Sequence, residues 1–343
     1  MISKKAITIA VDAMGGDHGP EAVIKGVKQA YEEIGDSNLR FKIFIPKKHK
    51  ALLVNIQSIS DAVYVDEVID LHESPLKALK KGPNTTMGLA ITAVRDGKAD
   101  AVLSLGSTGA YIALCWKILH LLPSITKVAL PATIPSENGH KVVLDLGASL
   151  VVSEKELVQF ALMGDAMARI MLNKSNPRIK LLNVGVEEMK GFPQTIKAHK
   201  ILKDTKILNY QGFAEASQLF SDDIDVLVTD GYGGNIALKT VKGFQSFLTK
   251  MLKSYFTKNW MRKIVGLGVK LGLNKLKQYM DWRQHNGAPL LGFSKLAIKG
   301  HGDSDEVAVA AAVKMTYMFL EKDLINKIQE ELAENEDVVI AGV

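Results

Sequence analysis

Two residues in this chain pair a reactive side-chain type with a turn that would present it. Lys190 stands in VEEMKG, a glycine-bounded loop after a predicted strand. An ammonium there can place a point charge on phosphate, or simply be solvated. Asn235 closes GGN ahead of a predicted helix. Its amide can cap that helix or donate to an oxyanion. Three aspartates, Asp12, Asp145 and Asp230, stand at the ends of predicted strands. They read first as organisers of the loops that follow and second as acid–base groups. His18 and His301 lie far apart in the chain and can meet only through the fold.

These residues need a frame, and the hydrophobic pattern supplies one. Apolar, β-branched runs at 6–13, 40–46, 62–68, 101–106, 141–147, 179–185 and 224–231 predict strands. Segments 21–35, 85–100, 108–122, 154–172, a long stretch from about 235, and 305–322 carry helical spacing. Such alternation predicts an α/β fold, a Rossmann-like mostly parallel sheet with helices on both faces. In such sheets ligands bind beyond the carboxyl ends of the strands. Five glycine-bearing turns open there: MGGDHG, GSTGA, GAS, VGVEEMKG and DGYGGN. Bare amides at these turns and at the helix starts behind them suit an anion, phosphate above all. Candidate ligand contacts are therefore Asp12, Gly15, Gly16, His18, Ser107, Thr108, Gly109, Asp145, Gly185 and His301.

Familiar motifs are absent. GGDHGP does not have the dinucleotide spacing, no P-loop occurs, GSTGA is not a nucleophile elbow, and no Cys/His cluster suggests zinc. No metal or cofactor is called for. The one cysteine, Cys115, lies in an apolar helical run and reads as a buried structural thiol. The lone cysteine and the lack of a membrane-spanning run or signal-peptide pattern fit a cytoplasmic protein.

The formal net charge is +6, unevenly placed. From Gly231 to Met280 there is no Asp or Glu, while ten Lys and Arg recur between Lys239 and Lys277. That stretch favours an acidic partner, or is a solvated basic face. Within it, 259–280 mixes large apolar residues, glycines and cations. It reads equally as an interfacial helical hairpin and as a helix pair packed in a dimer. The chain divides into one α/β catalytic domain over 1–325, with a protruding basic helical segment at about 250–280, and a charged, frayed tail over 326–343.

AVDAMGGDHGPEAVIKG, SLGSTGA, LDLGAS, LLNVGVEEMKG, VTDGYGGNIALKT and IKGHGDSD, in that order, resemble the PlsX family, the phosphate acyltransferases of bacterial phospholipid synthesis. The resemblance runs from residue 7 to about 315. It implies an isocitrate/isopropylmalate dehydrogenase-like and phosphotransacetylase-like architecture, a homodimer, and transfer of an acyl group from acyl carrier protein to inorganic phosphate. By the matching MKG and GGN it implies that Lys190 and Asn235 are catalytic. It also supports a peripheral contact of 250–280 with an anionic membrane, and gives the basic stretch an acidic partner to steer, acyl carrier protein. Two departures stand out. KALKKGPNTTM has Thr85 and Thr86 where the family carries serines, with Gly82 and Pro83 interrupting the lysines, and Ser107 stands where the family commonly has Asn.

Three rival readings remain. A coenzyme A-dependent phosphate acyltransferase on the same fold presents the same pantetheine thiol. A decarboxylating dehydrogenase would need several arginines and a carboxylate metal cluster; arginine is scarce here and no such cluster stands out. A non-enzymatic basic membrane- or nucleic-acid-binding protein explains the basic stretch but leaves the glycine turns without purpose. No nucleic-acid module or aromatic platform is present.

Overall fold

The computed structural model describes residues 6–70, 73–262, 272 and 281–341. In chain order the first half comprises β1 (Ile7–Asp12), α1 (Gly19–Ile34), β2 (Leu39–Ile45), β3 (Ser60–Tyr64), α2 (Pro75–Lys81), α3 (Thr86–Arg95), β4 (Ala101–Ser104) and α4 (Thr108–Ile118). The middle comprises β5 (Ala132–Ser136), β6 (Gly139–Leu144), α5 (Glu154–Leu172), β7 (Ile179–Leu182), α6 (Pro193–Thr205), β8 (Tyr210–Ala214) and β9 (Val226–Val228). The last part comprises α7 (Gly231–Thr257), β10 (Ala288–Pro289), β11 (Leu296–Lys299), α8 (Glu306–Glu321), α9 (Leu324–Glu334) and α10 (Glu336–Ala341).

The fold is α/β and mostly parallel, with its strands shared between two sheets. The first is ordered β10-β11-β4-β1-β2-β3, the second β5-β6-β9-β7-β8. Only β10 and β5 run antiparallel to their neighbours. The first sheet thus takes strands from both ends of the chain and the second takes the middle. Each has a point where strand order reverses, between β1 and β4 and around β9.

Alternation along the strands builds the layers. Ile9, Val11, Phe41, Ile43, Leu103 and Ile298 face one core, shared with α1 and α8. Ala10, Phe44, Val102 and Ala297 face the opposite core, under α3 and α4. The first of these cores is continuous with the inner face of the second sheet. There Val142, Leu144, Ile179, Leu181 and Val228 meet α5, a helix buried along most of its length. The other face of the second sheet packs Val143 and Leu227 against Leu238 and Val241, from the first turns of α7.

Local signals explain the ends. Pro20 stands in the first turn of α1, and Gly35 ends it at φ +69°. Ser153 and Glu156 form a reciprocal capping box on α5. The third strand lies at Ser60–Tyr64 rather than 62–68, because its partner β2 ends at Ile45. The tail expected to fray is instead helical: Leu324, Ile328 and Leu332 recur at helical spacing and are buried. Cys115 is buried, and burial pushes its thiol far up.

Of the segment expected to protrude, the described part supports an exposed helix. From Lys242 to Met261 every residue except Phe256 is exposed. Residues 263–271 and 273–280 lie outside the described residues. No described helix is long and apolar enough to cross a membrane.

Candidate active site

The carboxyl edge of the first sheet is built on buried polar groups. Register sets Asp12, Ser104 and Lys299 side by side at the ends of β1, β4 and β11. The Ser104 hydroxyl donates to Asp12 Oδ2 at 2.8 Å, and the Met14 amide donates to Oδ1 at 3.3 Å. Burial raises the Asp12 pKa, against hydrogen bonds from Ser104 and Thr86 that lower it. Lys299 is 7% exposed, and loss of hydration pushes its ammonium down to about 7, against the pull of Asp12 and Asp17.

Three loops interlock over this floor. Gly16 sits at φ +96°, and a Cβ there would lie 3.2 Å from the Gly302 carbonyl oxygen and 3.3 Å from Leu105 Cβ, so a side chain would be strained. A Cβ on Gly15 would lie 2.5 Å from the Gly106 amide nitrogen. The Asp17 amide donates to the Gly302 carbonyl at 2.8 Å. His18 and His301, distant in sequence, meet here through Asp303. His18 Nε2 lies 3.1 Å from Asp303 Oδ1, and the Asp303 amide donates to His301 Nδ1 at 3.3 Å. Ser107 precedes α4 with its hydroxyl unused as a cap, and Thr108 and Gly109 are exposed at the helix start.

The threonines that depart from the family pattern have structural work. Thr85 caps α3, accepting from the Gly88 amide at 3.1 Å and donating to the Gly82 carbonyl at 2.8 Å. Thr86 hydrogen-bonds Asp12 from below.

At the carboxyl edge of the second sheet, Asp145 is fully buried. Its Oδ1 accepts from the amides of Leu130 (2.9 Å), Gly147 (3.0 Å) and Ala148 (3.0 Å), and its Oδ2 from Ser149 (2.6 Å). Burial raises its pKa while these four donors oppose the rise. The helix cap is Asp230, whose Oδ1 accepts from the Gly233 amide at 2.6 Å. Asn235 sits one turn further in, so its amide is not used as a cap. It lies over the loop after β6, its Cγ 3.5 Å from where a Gly147 Cβ would be. A Cβ on Gly234 would stand 1.9 Å from the Asp145 carbonyl oxygen, so the helix start approaches that loop too closely for any side chain.

The Lys190 loop hangs from Asn183, whose amide donates to the carbonyls of Gly185 (3.1 Å) and Lys190 (2.8 Å). Gly191 closes it at φ +106°. Lys190 is exposed and pairs with Glu187 Oε1 at 2.6 Å; that bond raises its pKa and lowers that of Glu187. None of the described contacts joins Lys190 to Asn235. Exposed Val184, Val186, Met189 and Phe192 surround the lysine, and Leu150, Val151, Tyr232 and Ile236 are exposed on the neighbouring turns.

Helix α7 ties the edges together. It begins at the second sheet with Asp230 and Asn235. Seven residues on, Lys242 Nζ lies 2.9 Å from His301 Nε2 at the first sheet. An open cleft of about 460 Å³ lies elsewhere, at the amino edge of the second sheet, lined by Asn173, Lys174, Arg178, Asn209 and Asp225 among others. There Asp225 is buried, yet bonds from Arg178 and Lys174 hold it well below the usual carboxylate range. Its cations are spoken for, and the glycine turns open at the other edge. Among the described residues, no group of three His, Cys, Asp or Glu could hold a metal.

Sequence reasoning missed Ser104, Lys299, Asp303 and Glu187, and placed Lys242 only within the basic stretch. Lys299 carried a signal, a lysine at the end of the apolar run LAIK. Lys242 carried a weaker one, its seven-residue offset from Asn235 on one helical face.

Fold and site together define an α/β protein whose strand ends form anion-ready turns. The match is specific: residues 7–327 fit the model of the family described as "Fatty acid synthesis protein", and the chain belongs to that family. Curated relatives named "Phosphate acyltransferase" include those of Legionella pneumophila (strain Corby) and Marinobacter nauticus. The first is 36% identical, covering 96% of this chain and 97% of the relative; the second is 38% identical, covering 95% and 96%. Among solved structures, a phosphotransacetylase from Streptococcus pyogenes superposes with TM-score 0.60 at 16% identity, over 91% of this chain and 93% of that one. A branched-chain phosphotransacylase from Enterococcus faecalis V583 gives 0.55 at 14%, over 92% and 99%. These two show a shared fold.

Proposed function

We propose that this chain is a phosphate acyltransferase that moves a fatty acyl group from acyl carrier protein to inorganic phosphate. The observation that carries this reading is the run of α7 from Asn235, over the second sheet's carboxyl edge, to Lys242, on the first sheet's edge. Reacting groups brought to the two edges are thereby held in one frame. Family membership and the name shared by the relatives support the same reaction.

A phosphate oxygen attacks the thioester carbonyl carbon. The new C–O bond forms, the tetrahedral oxyanion collapses, the C–S bond breaks, and its electron pair leaves on sulfur, which takes up a proton. Little covalent work falls to the protein; it positions the reactants and stabilises charge. Lys190 supplies a point charge to the phosphate, exchanging Glu187 for it. Asn235 directs its amide at the carbonyl oxygen. Gly15, Gly16, His18, Ser107, Thr108, Gly109, Gly185 and His301 line the approach of phosphate and pantetheine arm, on loops held by Asp12 and Asp145. The exposed apolar side chains around Lys190 suit a fatty acyl chain.

The acid-free stretch steers the acidic carrier. Exposed Phe244, Phe247, Met251 and Tyr255 on α7, and Trp260 beyond its end, support two further contacts, with a second copy of the chain and with an anionic membrane. Light scattering that found only monomer, and vesicle flotation that found no lipid binding, would remove them.

The test of the reaction is to incubate the protein with acyl-acyl carrier protein and phosphate and measure acyl phosphate. Formation from acyl-coenzyme A but not from the carrier would assign the other donor. No acyl phosphate from either would end the reading.

A further inference from the structure

We propose that His199 is a positioning residue for the phosphate site: when phosphate takes Lys190, the neighbouring Glu188 closes onto His199, which holds the acidic loop tip off the lysine. This rests on the reading that Lys190 meets phosphate.

The first observation is a buried nitrogen without a partner. His199 lies on α6 and is 8% exposed. Its ring stacks on Phe213 with centroids 4.4 Å apart, and its Nδ1 lies 2.8 Å from the Tyr210 hydroxyl oxygen. Its Nε2 is buried and makes no hydrogen bond among the described residues. A polar atom left so is costly, and a state of the protein that satisfies it is favoured.

The second observation is what Nε2 has to offer. Burial lowers the pKa of His199, so the ring is neutral. The Tyr210 hydroxyl has no other partner among the described residues, so its proton goes to Nδ1. A neutral imidazole accepting at Nδ1 carries its own proton on Nε2, which is then a donor. Of the charged groups around it, Lys203 has only donors and Asp204 makes no hydrogen bond to it. Glu188 is the acceptor that faces it, with Oε1 3.8 Å from Nε2. A formed N–H···O bond is about 2.9 Å long, so the gap is about 1 Å.

The third observation is the build of the loop. Its neck is fixed, because the Asn183 amide holds the carbonyls of Gly185 and Lys190. Movement is thereby confined to the tip between them, which carries Glu187 and Glu188. Glu187 pairs with Lys190 at 2.6 Å, and Glu188 pairs with Lys203 of α6. Phosphate on Lys190 takes Glu187's partner and repels both carboxylates. The way off the lysine leads toward α6, where His199 Nε2 waits. A bond made only with phosphate bound must raise the affinity for phosphate.

The experiment is titration calorimetry of the full chain with inorganic phosphate, on the wild type, His199→Asn, His199→Gln and Lys190→Ala. Asn reaches only the position of Nδ1 and keeps the Tyr210 contact; Gln carries an N–H to the position of Nε2. His199→Asn should weaken phosphate about 10-fold, the scale of one hydrogen bond to a charged group, and His199→Gln should stay near the wild type. In acyl phosphate formation the same loss should fall on KM for phosphate, with kcat little changed. A structural role through Tyr210 gives the reverse order. Wild-type affinity in His199→Asn, or a loss in His199→Gln as large as in His199→Asn, would overturn the proposal while Lys190→Ala still weakened phosphate. Wild-type affinity in Lys190→Ala, or no binding to the wild type, would remove the reading of Lys190 and the latch with it.

Discussion

The two carboxyl edges solve one problem in opposite ways. At the first sheet the polar groups are buried: Asp12, Ser104 and Thr86 are bound to one another, Lys299 lies beside them, and three loops close over this floor. At the second sheet the buried part is a single carboxylate, Asp145, gathering four amides, while Lys190 hangs outside on a loop. The first edge is set before any ligand arrives. The second keeps Lys190 in an exposed ion pair, which water and salt screen and which is therefore easily exchanged. In the proposed reaction, a loosely held lysine suits a group that must meet phosphate and then release its product.

The sharpest way to break this contrast is at Asp145. Asp145→Ala removes the acceptor of four amides at once. At roughly 1 kcal/mol for each partner lost, the low end of the range, the cost is about 4 kcal/mol of stability. Urea unfolding of the purified variant measures it. A midpoint within error of the wild type would mean that the loop after β6 is held by something other than this carboxylate.

Lys190→Ala tests the other half. Lys190 is exposed, so its loss should leave the unfolding midpoint in place while lowering kcat for acyl phosphate formation about 10²–10³-fold, the scale of one lost transition-state donor. Full activity would take Lys190 out of the mechanism. A fall in stability without a fall in rate would make the loop structural rather than reactive.

How much of this was legible beforehand follows from where each signal lives. The strand ends were legible because apolar runs stop at glycine turns, a contrast that survives in one dimension. Asp12, Asp145, Lys190 and Asn235 could be singled out for that reason. Partners could not. Glu187 beside Lys190, and His301 against Lys242, are made by a loop closing and a helix passing, and neither leaves a trace in spacing. Asn235 was open between cap and ligand donor, and only the observed helix start at Gly231 gives the cap to Asp230. β5 and β8, ATIPS and YQGFA, escaped because they are polar or broken by glycine and lie on sheet edges, where half a strand faces water. The sharing of strands between two sheets was invisible for a similar reason. It depends on where β9 inserts, between β6 and β7, and not on any residue pattern.

The smallest effect bears on the buried floor of the first edge. Burial holds the Lys299 ammonium at about 7, against 10.5 for a lysine in water. Between those values the unfolded chain binds a proton that the folded chain does not. Stability must therefore rise with pH across that window, by up to about 1.4 kcal/mol per unit from this group alone. Below about 7 both states are protonated and the dependence from Lys299 flattens, with the cost of burying the charge fully present. Lys299→Met keeps the stem and deletes the charge. Urea midpoints at pH 7 and pH 9 should then differ less in the variant than in the wild type, and the variant should gain most at the lower pH. Identical pH dependence in the two proteins would mean that the lysine finds its counter-charge in Asp12 or Asp17 after all. In that case the floor is a closed ion pair, and the difference between the two edges reduces to exposure alone.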